Sequence, residues 1–290
     1  MSIQAISSAA TIALASTIVI LLAIKSWHLI AQPFADIRSF PNSIMTESAQ
    51  RFRDRLEKLR GEQSTYLALT LMFVVTFGIA IVLRPQDTFG DLPAWQNIIV
   101  LVMVALGAAY GFFKFVRVIM ERRRVAFVRD ANIAVGHSLQ KLTANQNRVF
   151  HEVQCPAGVI DNIVVGLHGI YAVNVVAIRP RKDNRVRLRK DELSFAPGKL
   201  VVSISDAGLK ARQIAKVLRK QAGHDIRVRP VIAVPGWEIE SQASEQYLVV
   251  NERNLAMMRG WKDEGDYLMN EDVDKIHAFL TENGTYSSRK

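Results

Sequence analysis

Apolar positions along this chain are clustered. Most of the long uncharged runs fall before residue 114, and most of the charge falls after it. Residues 2–24, 64–83 and 92–113 carry no charged side chain and run to 23, 20 and 22 residues. A helix needs roughly 20 to cross about 30 Å of hydrocarbon. None of the three shows the polar stripe of a surface helix. The pattern predicts membrane spans over about 5–24, 64–83 and 94–114. Ahead of the first apolar stretch there is no basic side chain, and Lys25 follows it, so this run reads as a retained anchor rather than a cleaved signal peptide.

Basic residues in the flanks set the expected orientation. Residues 25–63 hold Lys25, Arg38, Arg51, Arg53, Arg55, Lys58 and Arg60, whereas the connector 84–91 holds only Arg84 beside Asp87 and Asp91. Lys114, Arg117 and Arg122 to Arg124 follow the third run. The amino terminus and 84–91 are therefore expected outside, and 25–63 and everything after 114 inside, as in a multi-pass inner-membrane protein with a cytoplasmic C-terminal domain. Trp27, Tyr66, Trp95, Phe112 and Phe113 sit near the span ends, where interfacial aromatics belong. Gly107 and Gly111 fall inside the third span, where small residues serve helix packing.

Between the first two runs, Met45, Ala49, Phe52, Leu56 and Leu59 recur at spacings of four and three, which predicts a cytoplasmic helix over about 43–62. Two uses of that seam are open: packing on the soluble domain, or self-association through residues 45–59. Its basic residues are compatible with anionic headgroups in either case.

From residue 116 a basic helical stretch is expected to run to about 144, after which the period changes. Strands are predicted at 148–154, 159–166, 170–178, 185–188, 193–195, 199–203, 226–234 and 247–250. Helices are predicted from Ser205 or Asp206, as cap, to about 221, near 254–258, and over 271–280. The nearly unbroken apolar run 170–178 marks a central strand. This order predicts an α/β domain with a mixed sheet over 120–290, behind a membrane region over 1–119.

Composition sharpens this picture. Hydrophobic residues make up 49% and charged ones 22%, which excludes disorder as the main state. A single cysteine, Cys155, excludes an internal disulfide framework and reads as inert packing. The net charge of +10 is local: residues 179–229 hold 15 Lys+Arg against 5 Asp+Glu, while 230–290 hold 6 against 11. Arg181, Lys182, Arg185, Arg187, Arg189 and Lys190 cluster in a hairpin, and Lys210, Arg212, Lys216, Arg219 and Lys220 lie on the following helix. That face suits DNA or RNA phosphates, or anionic lipid in the bilayer beside it. Few aromatics interleave it, so no stacking platform for single strands is indicated.

The run from Val159 through Asp161, Asn162, Gly166, His168 and Gly169 to Val173 resembles the NERD (nuclease-related) domain. In that family the pattern is Ile-Asp-His, an apolar strand, Gly, then Val-Phe-Val-Ile-Glu-x-Lys. The resemblance covers about 131–235 and takes in Gly136, Gln213 and the strand ending in residues 231–234. It implies a fold of the PD-(D/E)xK nuclease kind, with Mg²⁺ held by two or three carboxylates and a lysine aimed at the phosphodiester. Asp161 matches the family aspartate and Gln213 the helix glutamine. His137 stands where the family has a helical glutamate, Asn174 at the Glu of Glu-x-Lys, Val176 at its Lys, and Asn162 at the usual His. One carboxylate of three acidic positions remains.

A lone Asp beside a neutral Asn does not offset the dehydration that Mg²⁺ resists, so no resident metal or cofactor is expected. These positions read as vestigial: Asp161, Gln213, His137 and Asn174. The sequence therefore reads as a nuclease-related pseudoenzyme with a binding or assembly role at the membrane. Two alternatives stay open: a divergent Mg²⁺-dependent nuclease using Asp161 and Gln213 with His137 or Glu152, and a membrane scaffold that binds no nucleic acid.

Overall fold

A computed structural model describes residues 48–82, 94–141, 147–180, 184–197, 200–240, 244, 246–261 and 266–283. The chain divides into two compact units. One takes the described residues of 57–122, and the other takes those up to Leu56 together with those from Arg123 onward. The expected first span and the 84–91 connector lie outside the described residues.

The helical unit is built from parts of two long helices, α1 (Gln50–Val82) and α2 (Ala94–Gln140). Sequence patterning separates a helix over 43–62 from the second span, and the third span from a basic helix after 116. The structure joins each pair into one continuous helix, because Gly61 alone does not stop a helix whose neighbours favour it. The start is later than expected: Ala49 has φ 69°, a left-handed conformation that cannot continue a helix, so α1 begins at Gln50. Ala49 and Leu59 are already buried in a single copy, which leaves less of the 45–59 seam for a second one.

Gly107 and Gly111 let the two helices approach closely. A Cβ on Gly107 would lie 2.8 Å from the Phe73 ring, and one on Gly111 would lie 2.7 Å from Thr70 Oγ1. The outward side chains are apolar, among them Leu71, Val75, Ile98, Met103, Leu106 and Phe113, each more than half exposed. One described helix, within α2 (Val102–Gln140), is long and apolar enough to cross a membrane.

The second unit is α/β. Its main sheet has the order β1 (Arg148–Cys155), β2 (Gly158–Gly166), β3 (Gly169–Val175), β7 (Val228–Ala233), β9 (Leu248–Val250). The pairs β1–β2 and β2–β3 are antiparallel, while β3–β7 and β7–β9 are parallel, so the sheet is mixed as expected, with β3 at its centre. Gly169, at φ 121°, closes the β2–β3 turn.

Between β3 and β7 the chain leaves this sheet. The strands β4 (Arg185–Arg189), β5 (Glu192–Phe195) and β6 (Leu200–Ser203) form a second sheet with the two-residue β8 (Glu238–Ile239). Two residues are too short a run for alternation to reveal, which is why β8 escaped the sequence reading.

Helices cover both faces of the main sheet. On one face, α3 (Ser205–Ala222) and α4 (Asn270–Asn283) bury Ala211, Ile214, Leu218, Val273, Ile276 and Leu280 against Phe150, Val153, Ile163 and Ile170. On the other, Val135 and Leu139 of α2 and Leu255 and Met258 of a short 3₁₀ helix pack on Val149, Val164, Val173 and Val231. The cap of α3 differs from expectation. Ile204 occupies it without a side-chain hydrogen bond, while the hydroxyls of Ser205 and Ser203 pair at 3.0 Å. Gly223, at φ 82°, ends the helix as expected.

Leu218→Ala, which empties a fully buried site between α3 and the sheet, is expected to cost about 2–5 kcal/mol. Thermal or denaturant unfolding of the detergent-solubilised chain measures it.

Candidate functional site

Two acidic side chains are buried on adjacent strands. Glu152, in the middle of β1, has φ 53°, a left-handed conformation inside a strand. Such strain costs of order 1–3 kcal/mol and persists only where the surroundings impose it. Here the Arg51 backbone N–H donates to both Glu152 oxygens, at 3.1 and 3.0 Å. On β2, Asp161 Oδ2 accepts the Val175 N–H at 2.7 Å, and Asp161 Oδ1 accepts a charge-assisted hydrogen bond from Arg51 Nη2. The Arg51 Nε lies 3.8 Å from Glu152 Oε1. One arginine, from the first turn of α1, thus holds two buried carboxylates.

The electrostatics follow from burial. Desolvation pushes the Glu152 carboxyl up to about 7, against the Arg51 N–H and guanidinium, which pull it down; Asp161 and Asp54 add to the rise. Burial also raises Asp161, opposed by Arg51, the Val175 N–H and Lys210. Beside them, His151 Nδ1 and Asn162 Oδ1 form a 2.6 Å hydrogen bond, and burial holds the imidazole below its ordinary pKa. Gly136 makes room for this segment: a Cβ there would lie 2.5 Å from Ser48 Oγ, and the Ser48 hydroxyl donates to the Asn132 carbonyl at 3.0 Å.

The residues singled out from sequence are distributed as follows. Asp161 and Asn174 are both buried, on β2 and β3, one step beyond the Asn162–Val173 pair. His137 is exposed on α2, and the buried histidine in this region is His151. Gln213 is half-buried on α3, but the α3 side chain whose charge reaches Asp161 is Lys210, three residues earlier. Lys210 also pairs with Asp206 at 3.7 Å. Arg51 carries no local signal, since it is one of three alternating arginines in an amphipathic run. Cys155 ends β1, where its thiol donates to the Gly158 carbonyl at 3.1 Å.

Mg²⁺, which the nuclease-like resemblance implies, does not fit these residues. Both Glu152 oxygens accept one backbone N–H, both Asp161 oxygens are engaged, and a guanidinium supplies the positive charge. The remaining oxygen, Asn174 Oδ1, is neutral and buried, without a hydrogen-bond partner among the described residues. Among those residues no three His, Cys, Asp or Glu side chains are grouped to hold a metal ion.

The basic face is partly neutralised. Arg187 donates to Glu240 at 2.8 Å and Arg185 lies 3.9 Å from the same carboxylate, so two arginines of β4 share one acid. Arg189 stands opposite Glu192 in the β4–β5 register, and Arg219 pairs with Asp225 at 3.0 Å. Lys190, Arg212, Lys216 and Lys220 are exposed. Arg181 and Lys182 lie outside the described residues.

The chain matches no known protein-family model, no curated protein and no solved structure.

A carboxyl whose folded pKa lies above its unfolded one loses stability as pH rises through the interval between them, here about 4.5 to 7 for Glu152. Glu152→Gln removes that loss. Its stability relative to the parent chain should therefore rise by up to about 3 kcal/mol between pH 4.5 and pH 8, as measured by unfolding at each pH. Arg51→Ala, which leaves buried carboxylates without their cation, should destabilise by about 3–5 kcal/mol, and Asp161→Asn on top of it should recover part of that.

Proposed function

We propose that this chain is a multi-pass membrane protein whose α/β domain lies on the cytoplasmic side, is nuclease-related in descent, and binds phosphate-bearing polyanions without cutting them. The observation that carries the reading is the Arg51 guanidinium on Asp161, where a nuclease of this kind needs a divalent cation. A guanidinium neutralises the acid permanently. It cannot activate water or coordinate a phosphoryl oxygen as a Lewis acid does.

The membrane part of the reading is supported by the apolar, exposed outer surface of the helical unit and by the uncharged runs at 64–83 and 92–113. The distribution of Lys and Arg around those runs supports the cytoplasmic side. The polyanion reading is supported by the local charge excess of residues 179–229 and by the exposed Lys190, Arg212, Lys216 and Lys220. Nucleic acid and anionic headgroups present the same phosphodiester to that face.

The full-length chain in detergent micelles should leave supercoiled plasmid intact with Mg²⁺ or Mn²⁺. Cutting that disappears in Asp161→Ala would overturn the reading in favour of a working nuclease. The same preparation should shift DNA in gels or sediment with phosphatidylglycerol vesicles, with affinity falling steeply as salt rises. Lys190→Ala with Lys216→Ala and Lys220→Ala should weaken it. Binding of neither, or binding indifferent to salt, would leave a scaffold instead.

A further inference from the structure

The inner face of α3 is taken by Ala211, Ile214 and Leu218, which are buried against the main sheet. Its outer ridge presents Leu209, Arg212, Lys216 and Lys220, all exposed, at spacings of three, four and four. Such spacings put one side chain on each successive turn, so the three cations follow one another about every 6 Å along the axis. The acids carried by this helix and the turn after it are already engaged: Asp206 pairs with Lys210 at 3.7 Å and Asp225 with Arg219 at 3.0 Å. Arg212, Lys216 and Lys220 form no ion pair among the described residues.

The other end of the ridge is aliphatic. Leu209 is 50% exposed, and on β6, which leads into α3 through Ile204, Leu200 and Val201 are 48% and 50% exposed. Strand β6 is an edge of the second sheet, bonded to β5 on one side only. Asp191, whose carbonyl accepts the Ile204 N–H at 2.8 Å, is exposed at this end as well. A nucleic-acid strand laid along the ridge would therefore run from cations onto apolar and acidic groups that give its phosphates nothing. Lipids are separate, mobile molecules. Anionic headgroups gather at the cations, zwitterionic ones accept the acid, and aliphatic side chains enter the acyl boundary.

We propose that the outer ridge of α3 docks on an anionic bilayer leaflet, with Arg212, Lys216 and Lys220 on headgroup phosphates and Leu209 in the acyl boundary. The proposal rests on the phosphate-binding reading above and commits it to lipid rather than nucleic acid. On that reading the same chain holds the bilayer close, so contacts that are weak one by one suffice. Each cation at an anionic surface raises affinity about fivefold, and the three together about a hundredfold, all of it screened by salt. Burying the exposed half of Leu209 adds about three- to tenfold.

The test places the full chain, carrying Cys155→Ser, in lipid nanodiscs with a fluorophore at Ser205→Cys, an exposed position one turn from Leu209. Spin-labelled lipid in the disc quenches a label that reaches the headgroup–acyl boundary. Discs of phosphatidylglycerol in phosphatidylcholine should quench it at low salt, and discs of phosphatidylcholine alone should quench it several-fold less. High salt, or Arg212→Ala with Lys216→Ala and Lys220→Ala, should remove the difference, and Leu209→Ser should reduce it. A label at Arg253→Cys, just ahead of the 3₁₀ helix that packs on the opposite face of the main sheet, should stay bright throughout. Equal quenching in neutral and anionic discs, or quenching indifferent to the triple variant, would overturn the proposal. An unquenched label in a chain that still shifts DNA would also overturn it while keeping the phosphate-binding reading. An unquenched label in a chain that binds neither removes both.

Discussion

A carboxylate cannot be taken out of water without a cation or a proton, and two of them on neighbouring strands compound the problem. In this protein the cation is Arg51. Its backbone N–H holds Glu152 in a left-handed conformation within β1, and its guanidinium holds Asp161. Removing one partner from such an arrangement leaves an uncompensated buried charge, which makes the contact a strong constraint on the fold even where its net stabilisation is small. The first two turns of α1 are therefore part of the α/β unit, although the rest of that helix belongs to the helical one.

The same constraint decides the chemistry. Every oxygen of Glu152 and Asp161 accepts from a protein N–H, and the Arg51 guanidinium already supplies the neutralising charge. A metal site needs several negative oxygens converging on one empty point, with room for water. What stands here is a salt bridge with a neutral amide, Asn174, beside it. The geometry is that of a structural anchor.

Positive charge is arranged by the same local logic. Part of the excess in residues 179–229 is met by acids outside that stretch, Glu240 for Arg185 and Arg187 and Asp266 for Arg229. Arg212, Lys216 and Lys220 stand exposed on the outer turns of α3. Beside β7, the short β9 leaves Val228 to Pro230 without a paired strand among the described residues.

Strand and helix positions in the α/β unit were legible because period and turn chemistry are local. Apolar runs marked β3 and β7, and Gly223 and Gly169 marked their turns. Where the chain departs from the nuclease-related resemblance, at Asn174 and Val176, could likewise be read without coordinates. Tertiary structure alone decided that β4, β5 and β6 leave the main sheet, that α1 is one helix across two patterns, and that the α3 charge acting on Asp161 is that of Lys210. It also decided that Arg51, about a hundred residues away along the chain, closes the acidic pair. Contacts at such separation depend on packing and desolvation, which have no period, so no window of sequence contains them.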